Sequence, residues 1–374
     1  MTANPNRIPV TRPYFPEAMI DGILGDLRGL FENRQIAPGA FADRLEVAFA
    51  ALCGVEHAVS VNSATTALQI ALRYFGAKGG EVLVPAASFL TDVSAVLFEG
   101  GTPVLADIDP ETMAVTPESL EARRTERTKG VIWVHLTGVV SPDFARIKDY
   151  CRANGLFLIE DASHAHGARF GDRVAGNFGD VGVFSFYPTK VMTTGAGGML
   201  TTNDPELRRF ARQLRMFGKE EETDQIVELG NDWFLDDIRA AIGLRQVEGL
   251  GDHLARRREI AAAYHQALSN QPGLLLVDLP EGSAPSWYQY AVFVQDYVDY
   301  RAVASTMREA GIQTKRIYRP VHKEVVFAHL DDGRYRGAEH LLDRSMCLPM
   351  YPELDEDQIA RVTRTLIAAA RSAG

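Results

Sequence analysis

Between residues 40 and 200 the chain alternates between two textures, and this alternation restricts the fold more than any other feature. Short apolar runs at 57–61, 81–85, 102–106, 130–135, 156–160 and 181–186 are separated by stretches such as 40–53, 63–75 and 144–154. In those stretches the apolar residues recur at helical spacing. Strands that alternate with helices require crossover connections, and so a mainly parallel sheet with both faces covered by helices. The pattern predicts an α/β fold. The first 40 residues, rich in Pro and Gly with a helical stretch at 20–31, read as an arm leading into this body. Beyond residue 250 the texture changes. A long charged helical pattern over 235–270 leads to a strand at 288–295 and a helix at 301–310. An irregular stretch rich in Arg, Pro and His and a final helix at 356–372 follow. We expect a large sheet domain with its arm over 1–250 and a smaller α+β domain over 251–374.

Composition narrows the class. With 46% hydrophobic residues among 374, the chain has enough apolar surface to offset its conformational entropy, which excludes bulk disorder. A net charge of −10 argues against a nucleic-acid binder, which needs clustered Lys and Arg. Three scattered cysteines (Cys53, Cys151, Cys347) make neither a disulfide framework nor a structural zinc site. No charge-free run reaches the length of a membrane span, and the first residues lack the pattern of a signal peptide. A cytoplasmic enzyme is expected, with no nucleic-acid or membrane partner.

The chemistry concentrates in residues 156–200. An apolar run delivers Glu160 and Asp161 to the end of one strand, and the run at 181–186 leads through Ser185 to Lys190 on the next. Ligands of open α/β sheets bind at these carboxyl ends. Taken singly, Lys190 reads as a loop lysine and Asp161 as a helix cap. Together, an amine and a carboxylate at neighbouring apolar strand ends suit a lysine that forms a Schiff base. They also suit pyridoxal phosphate (PLP), whose ring nitrogen needs an acidic partner to act as an electron sink. Ser63-Ala64-Thr65-Thr66 opens a helix after another strand, offering free N–H groups and hydroxyls to a phosphate, or simply capping the helix. Phe89 either stacks on a flat ring or belongs to the core. His164 and His166 flank Ala165 without a further ligand cluster, so no metal is expected. No dinucleotide or Walker loop is present. In the irregular stretch stand Tyr318, Arg319 and His322, where Arg319 is either a carboxylate or phosphate binder or a solvated loop residue.

These motifs, in this order, resemble the DegT/DnrJ/EryC1/StrS aminotransferases, sugar-modifying members of the fold-type I PLP enzymes. The likeness rests on NSATTAL (62–68), VPAASFLTD (84–92), GTPVLADID (101–109), EDASHAHGA (160–168), FGDVGVFSFYPTK (178–190) and GAGGMLTTND (195–204). RIYRPVH (316–322) and CLPMYPELDEDQI (347–359) extend it to the C-terminus. The resemblance implies that Lys190 carries the cofactor and shuttles the proton, and that Asp161 pairs with the ring nitrogen. It places His164 near the 3-hydroxyl, Phe89 on the ring, and Ser185, Ala64 and Thr65 around the phosphate. It also implies a homodimer whose subunits complete each other's sites. The reaction implied is ping-pong transfer of an amino group, from an amino acid such as glutamate to a keto-sugar, most readily a nucleotide-linked one. A cyclitol, an aminoglycoside or another small ketone is the alternative acceptor, and a non-catalytic PLP-fold regulator the alternative role.

Three departures stand out. Val191 replaces the usual Asn after the lysine, and Ala196 replaces an acidic residue before Gly-Gly. In GNDWFLDDIRAAIGLRQ (230–246), either Asn231 or Asp232 answers to the Asn that reaches the partner's phosphate. Charge favours Asn231, since a carboxylate would repel the phosphate. The family's Arg in that segment is replaced here by Trp233 or Phe234.

Overall fold

The structure, a computed structural model, describes residues 7–374. Seven strands form the central sheet: β1 (His57–Val61), β2 (Glu81–Pro85), β3 (Thr102–Ala106), β4 (Thr128–Val134), β5 (Phe157–Asp161), β6 (Val181–Ser185) and β7 (Gly198–Thr202). Their order is β1-β7-β6-β5-β4-β2-β3. β2, β3, β4, β5 and β6 pair in parallel, whereas β7 runs antiparallel to both of its neighbours. Every residue of β2, β5 and β7 is buried, as a parallel sheet covered on both faces requires. Parallel crossovers bring the carboxyl ends of β4, β5 and β6 to one edge, with Val134, Asp161 and Val183 in register.

The helices between the strands start where the sequence supplies caps. Ser63 accepts the Thr66 N–H and opens the helix Ala64–Tyr74. The helix Ala40–Cys53 begins after Gly39, which has no capping side chain, and a distant residue supplies the cap. The buried carboxylate of Asp237 accepts the N–H groups of Gly39, Phe41 and Ala42 at 2.9, 3.2 and 2.9 Å. Within β5, Glu160 is a structural carboxylate. It accepts N–H bonds from Gly176, Phe178 and Gly179 and faces His135 Nε2 at 2.9 Å, which is how a buried charge persists.

The C-terminal part holds a three-stranded antiparallel sheet (Leu274–Leu276, Tyr290–Val294, Ser345–Leu348) and a separate apolar cluster. Helices Leu250–Leu268, Tyr300–Glu309 and Glu356–Ser372 surround it. Ile8 packs into this cluster, and its backbone pairs with Gly311 and Gln313, so the N-terminal arm crosses to the C-terminal part.

Two expectations need correction. The helical pattern over 235–270 is two helices, Asp237–Glu248 and Leu250–Leu268, separated at Gly249. A Cβ at Gly249 would lie 2.8 Å from Met19 Cε, so the break admits the first helix, Glu17–Asn33. The irregular stretch also hides a helix, Arg336–Arg344, that runs directly into the strand Ser345–Leu348. Among the described residues no helix is long and apolar enough to cross a membrane.

Candidate active site

Asp161 ends β5 with its carboxylate almost fully buried, and its Oδ1 accepts the Ser163 N–H at 2.9 Å. Lys190 follows β6 on a turn closed by its own N–H on the Tyr187 carbonyl, 2.9 Å away. Burial pulls the Lys190 ammonium down to about 8. Asp161 opposes the fall, Lys315 deepens it, and Asp92 opposes it again. An amine so poised holds a neutral fraction near neutral pH that a free lysine lacks, which suits both nucleophilic attack and proton transfer.

The cofactor's place is testable on the polar groups left open around Lys190. At the other end of the edge, Val61, Gly198 and Ser185 lie side by side across β1, β7 and β6. Gly198 is packed against the Ser63–Ala64 peptide so closely that a Cβ would sit 2.6 Å from Ala64 N. Ser63 spends its hydroxyl on Thr66, and the backbone N–H groups of Ala64 and Thr65 have no partner within the described chain. Two free N–H groups at a helix start beside the Ser185 hydroxyl form a phosphate cradle. The residues present therefore fit PLP. They offer a phosphate cradle at one end, a carboxylate at the other and a lysine alongside.

The aromatic wall is assembled from three distant segments. Phe89, nearly half exposed, tilts against Tyr318 with ring centroids 5.4 Å apart. The Tyr318 hydroxyl shares a short hydrogen bond with His164 Nε2. His164 is buried, and its proton affinity falls well below the usual range through burial first, then through Lys190 and Lys315. It is a neutral imidazole. His166 sits instead among Phe49, Phe184 and Phe186, so the two histidines face different surroundings.

Sequence reading missed three residues here. Tyr288, from the C-terminal part, places its ring 4.3 Å from that of His164 and 4.8 Å from Lys190 Nζ, while its hydroxyl meets Thr189 Oγ1 at 3.1 Å. Asp92 is fully buried in the first turn of helix Leu90–Phe98, and neither carboxyl oxygen has a hydrogen-bond partner. Burial and the neighbouring Asp161 charge hold its carboxyl well above the usual range. Lys315 stands 5.8 Å from the Tyr288 ring centroid. Only the depth of Asp92 distinguishes it from an ordinary helix-start acid, and nothing local marks the other two.

The remaining candidates lie outside this cluster. His322 is buried with Nε2 on Glu339 at 3.0 Å and its ring against Tyr335, so it braces the helix Arg336–Arg344. Arg319 is exposed beside Arg316, Lys323 and Asp343 on the rim. Asn231 is exposed, and its Oδ1 accepts the Asp232 N–H at 2.9 Å, leaving its Nδ2 without a partner in the described chain. The segment runs along the end of β1, where Asn62 N donates to the Trp233 carbonyl at 2.8 Å and Phe234 pairs with Val61. Val191 packs with Leu250, Leu254 and Tyr288, an apolar contact that accounts for its replacing a polar residue.

Known proteins carry the same architecture. A curated relative, the UDP-N-acetyl-3-dehydro-alpha-D-glucosamine 3-aminotransferase of Acidithiobacillus ferrooxidans, is 37% identical over 92% of this chain and 93% of its own. The crystal structure of the aminotransferase TlmJ from Streptoalloteichus hindustanus superposes with a TM-score of 0.92 at 32% identity, covering 98% of this chain and 100% of that one. A putative sugar aminotransferase from Streptococcus pneumoniae, Spr1654, is known in PLP and PMP forms. The PLP form matches at a TM-score of 0.90 with 25% identity, over 98% of this chain and 100% of its own. The family model spans residues 19–367, and the chain belongs to the DegT/DnrJ/EryC1/StrS aminotransferase family.

Proposed function

We propose that this aminotransferase holds PLP covalently on Lys190 and moves an amino group from an amino acid, glutamate by preference, to a nucleotide-linked keto-sugar. The observation that carries the reading is the meeting of Asp161 and Lys190 from adjacent strand ends, with the open N–H groups of Ala64 and Thr65 across the same edge. The amino-sugar name of the Acidithiobacillus relative supports the acceptor class, and the two cofactor forms of the pneumococcal structure support an amine-carrying intermediate state of the enzyme. When bound, PLP supplies the electron sink that lets a carbon next to nitrogen lose its proton. The chain supplies everything else. Asp161 would hold a proton on the ring nitrogen, and Lys190 Nζ would take the proton from the donor carbon and deliver it to the carbon on the other side of the nitrogen. Ser185, Ala64 and Thr65 fix the phosphate, and Phe89 covers the ring.

A homodimer with shared sites is part of the proposal. Leu97, Phe98, Ile226 and Leu229 are exposed, and Arg73 ties Leu229 to Glu99 beside Phe98. An apolar band of this kind marks a protein interface, and Asn231 lies at its margin. We further place the division between the two domains near residue 250, at the break between the two helices.

Borohydride reduction of the purified protein followed by peptide mapping tests the assignment. The pyridoxyl mass is expected on Lys190. Its appearance on another lysine, or no PLP binding at saturating cofactor, sinks it.

A further inference from the structure

A donor amino acid presents its nitrogen to the site at Lys190, and its α-carboxylate comes with it. Nitrogen and carboxylate share one carbon, so the anion enters within about 2.5 Å of the reacting nitrogen. A keto-sugar brings no charge to its reacting carbon. The site must therefore accommodate an anion beside Lys190 in one half-reaction and none in the other.

The charges facing Lys190 leave one candidate to meet that anion. Asp161 is committed to the ring nitrogen, Asp92 is an acid and offers an anion no counter-charge, and His164 is held neutral by burial. Arg316 is paired with Asp343, and Arg257 is fixed on the carbonyls of Trp287 and Met350. The 233–234 segment presents Trp233, whose neighbouring cation Arg73 is bound to Glu99. Lys315 has no acid partner and no hydrogen bond to its amine among the described residues. Its charge reaches both Lys190 and His164, lowering the proton affinity of each. Two ammonium groups about one tyrosine ring repel, and an anion between them relieves the repulsion. The backbone that delivers Lys315 is fixed, because Cys347 N donates to the Lys315 carbonyl at 2.7 Å and Ile317 N donates to Ser345 Oγ at 3.0 Å. The backbone that carries the amine is thus held by the edge of the small sheet rather than by a loose loop.

We propose that Lys315 is the residue that binds the α-carboxylate of the amino donor and makes no demand on the keto acceptor. This rests on the function proposed above. Its test compares wild type with Lys315→Gln, which keeps the length and loses the charge, and Lys315→Arg, which keeps the charge. Steady-state KM is measured for glutamate and for a keto-sugar nucleotide. Maleate and UDP, as unreactive carboxylate and phosphate probes, are titrated into the PLP-loaded protein by calorimetry. Loss of one charge-assisted hydrogen bond is expected to raise the glutamate KM roughly 10–100-fold. Maleate affinity should fall in parallel, with the acceptor KM and UDP affinity within twofold of wild type, and Lys315→Arg should recover most of the loss. Weakened UDP binding with maleate unaffected would show that Lys315 holds the nucleotide's phosphates. An unchanged glutamate KM in Lys315→Gln overturns the proposal while leaving the aminotransferase reading intact. A wild type that carries no PLP on Lys190 defeats the underlying reading instead.

Discussion

The two ends of the site are built on opposite terms. Around Lys190 and Asp161 the groups are buried or half-buried, and strand ends and core aromatics place them. Around Asn231 the chain is exposed, with Ile226 and Leu229 open to solvent at 64% and 85%. The first region is packed from within the chain, and the second is open surface. On the function and dimer proposed above, the difference would separate chemistry from recognition, with the proton-handling groups shielded from water and the exposed rim left to a partner subunit and the acceptor.

Substitutions can break this contrast. The largest effect is expected at Asp161. Asp161→Asn should leave PLP bound yet reduce turnover by roughly 10²–10³-fold, because an amide cannot stabilise the protonated ring nitrogen. Absorbance of the bound cofactor and steady-state rates report the two halves, and near-normal turnover would remove Asp161 from its role. A smaller effect is expected on the open side. Asn231→Ala should weaken PLP retention about tenfold, the share of one charge-assisted hydrogen bond, whereas Asp232→Ala should leave it unchanged or tighter. Equilibrium dialysis of both variants decides, and indifference in both would place the loop outside any site.

The smallest effect sharpens the comparison on the buried side. In the folded chain Lys190 loses its proton at about 8 rather than the 10.5 of a free lysine. Below about pH 8 the folded state bears the cost of a desolvated ammonium, and this cost fades as pH rises toward 10.5. Cofactor-free Lys190→Met protein should therefore melt a few degrees above cofactor-free wild type at neutral pH, with the gap closing in alkali. Equal melting temperatures at neutral pH would show that the amine is solvated.

Local pattern revealed those parts of the molecule that local forces determine. The strands 57–61, 81–85 and 102–106 were legible because short apolar runs between helical stretches have few other structures to adopt. Ser63 was legible as a helix opener, and Asp161 and Lys190 as neighbours, because consecutive strands of such a sheet usually adjoin. Tyr288 was not, since it meets Thr189 across 99 residues of sequence and stands just before the strand Tyr290–Val294, where the sequence reads as ordinary core. Lys315 is equally silent: its meaning lies in the acid partner it lacks, which no spacing encodes. The helix break at Gly249 was hidden for a related reason, because the residue that requires it, Met19, lies in the arm.

The antiparallel position of β7 sets a timetable for synthesis. β1 emerges early, but among the described residues its one neighbouring strand in the sheet is β7, made about 140 residues later. At ~5–20 residues per second, a ribosome leaves β1 unpaired for on the order of ten seconds. Throughout that interval its free edge is available for mispairing with other chains. The cradle at Ala64 and Thr65 closes only when Gly198 arrives against it. On the proposed function, cofactor capture would be a terminal event of biogenesis, since PLP could stabilise only a chain that already holds β7 and could not rescue one stalled before it.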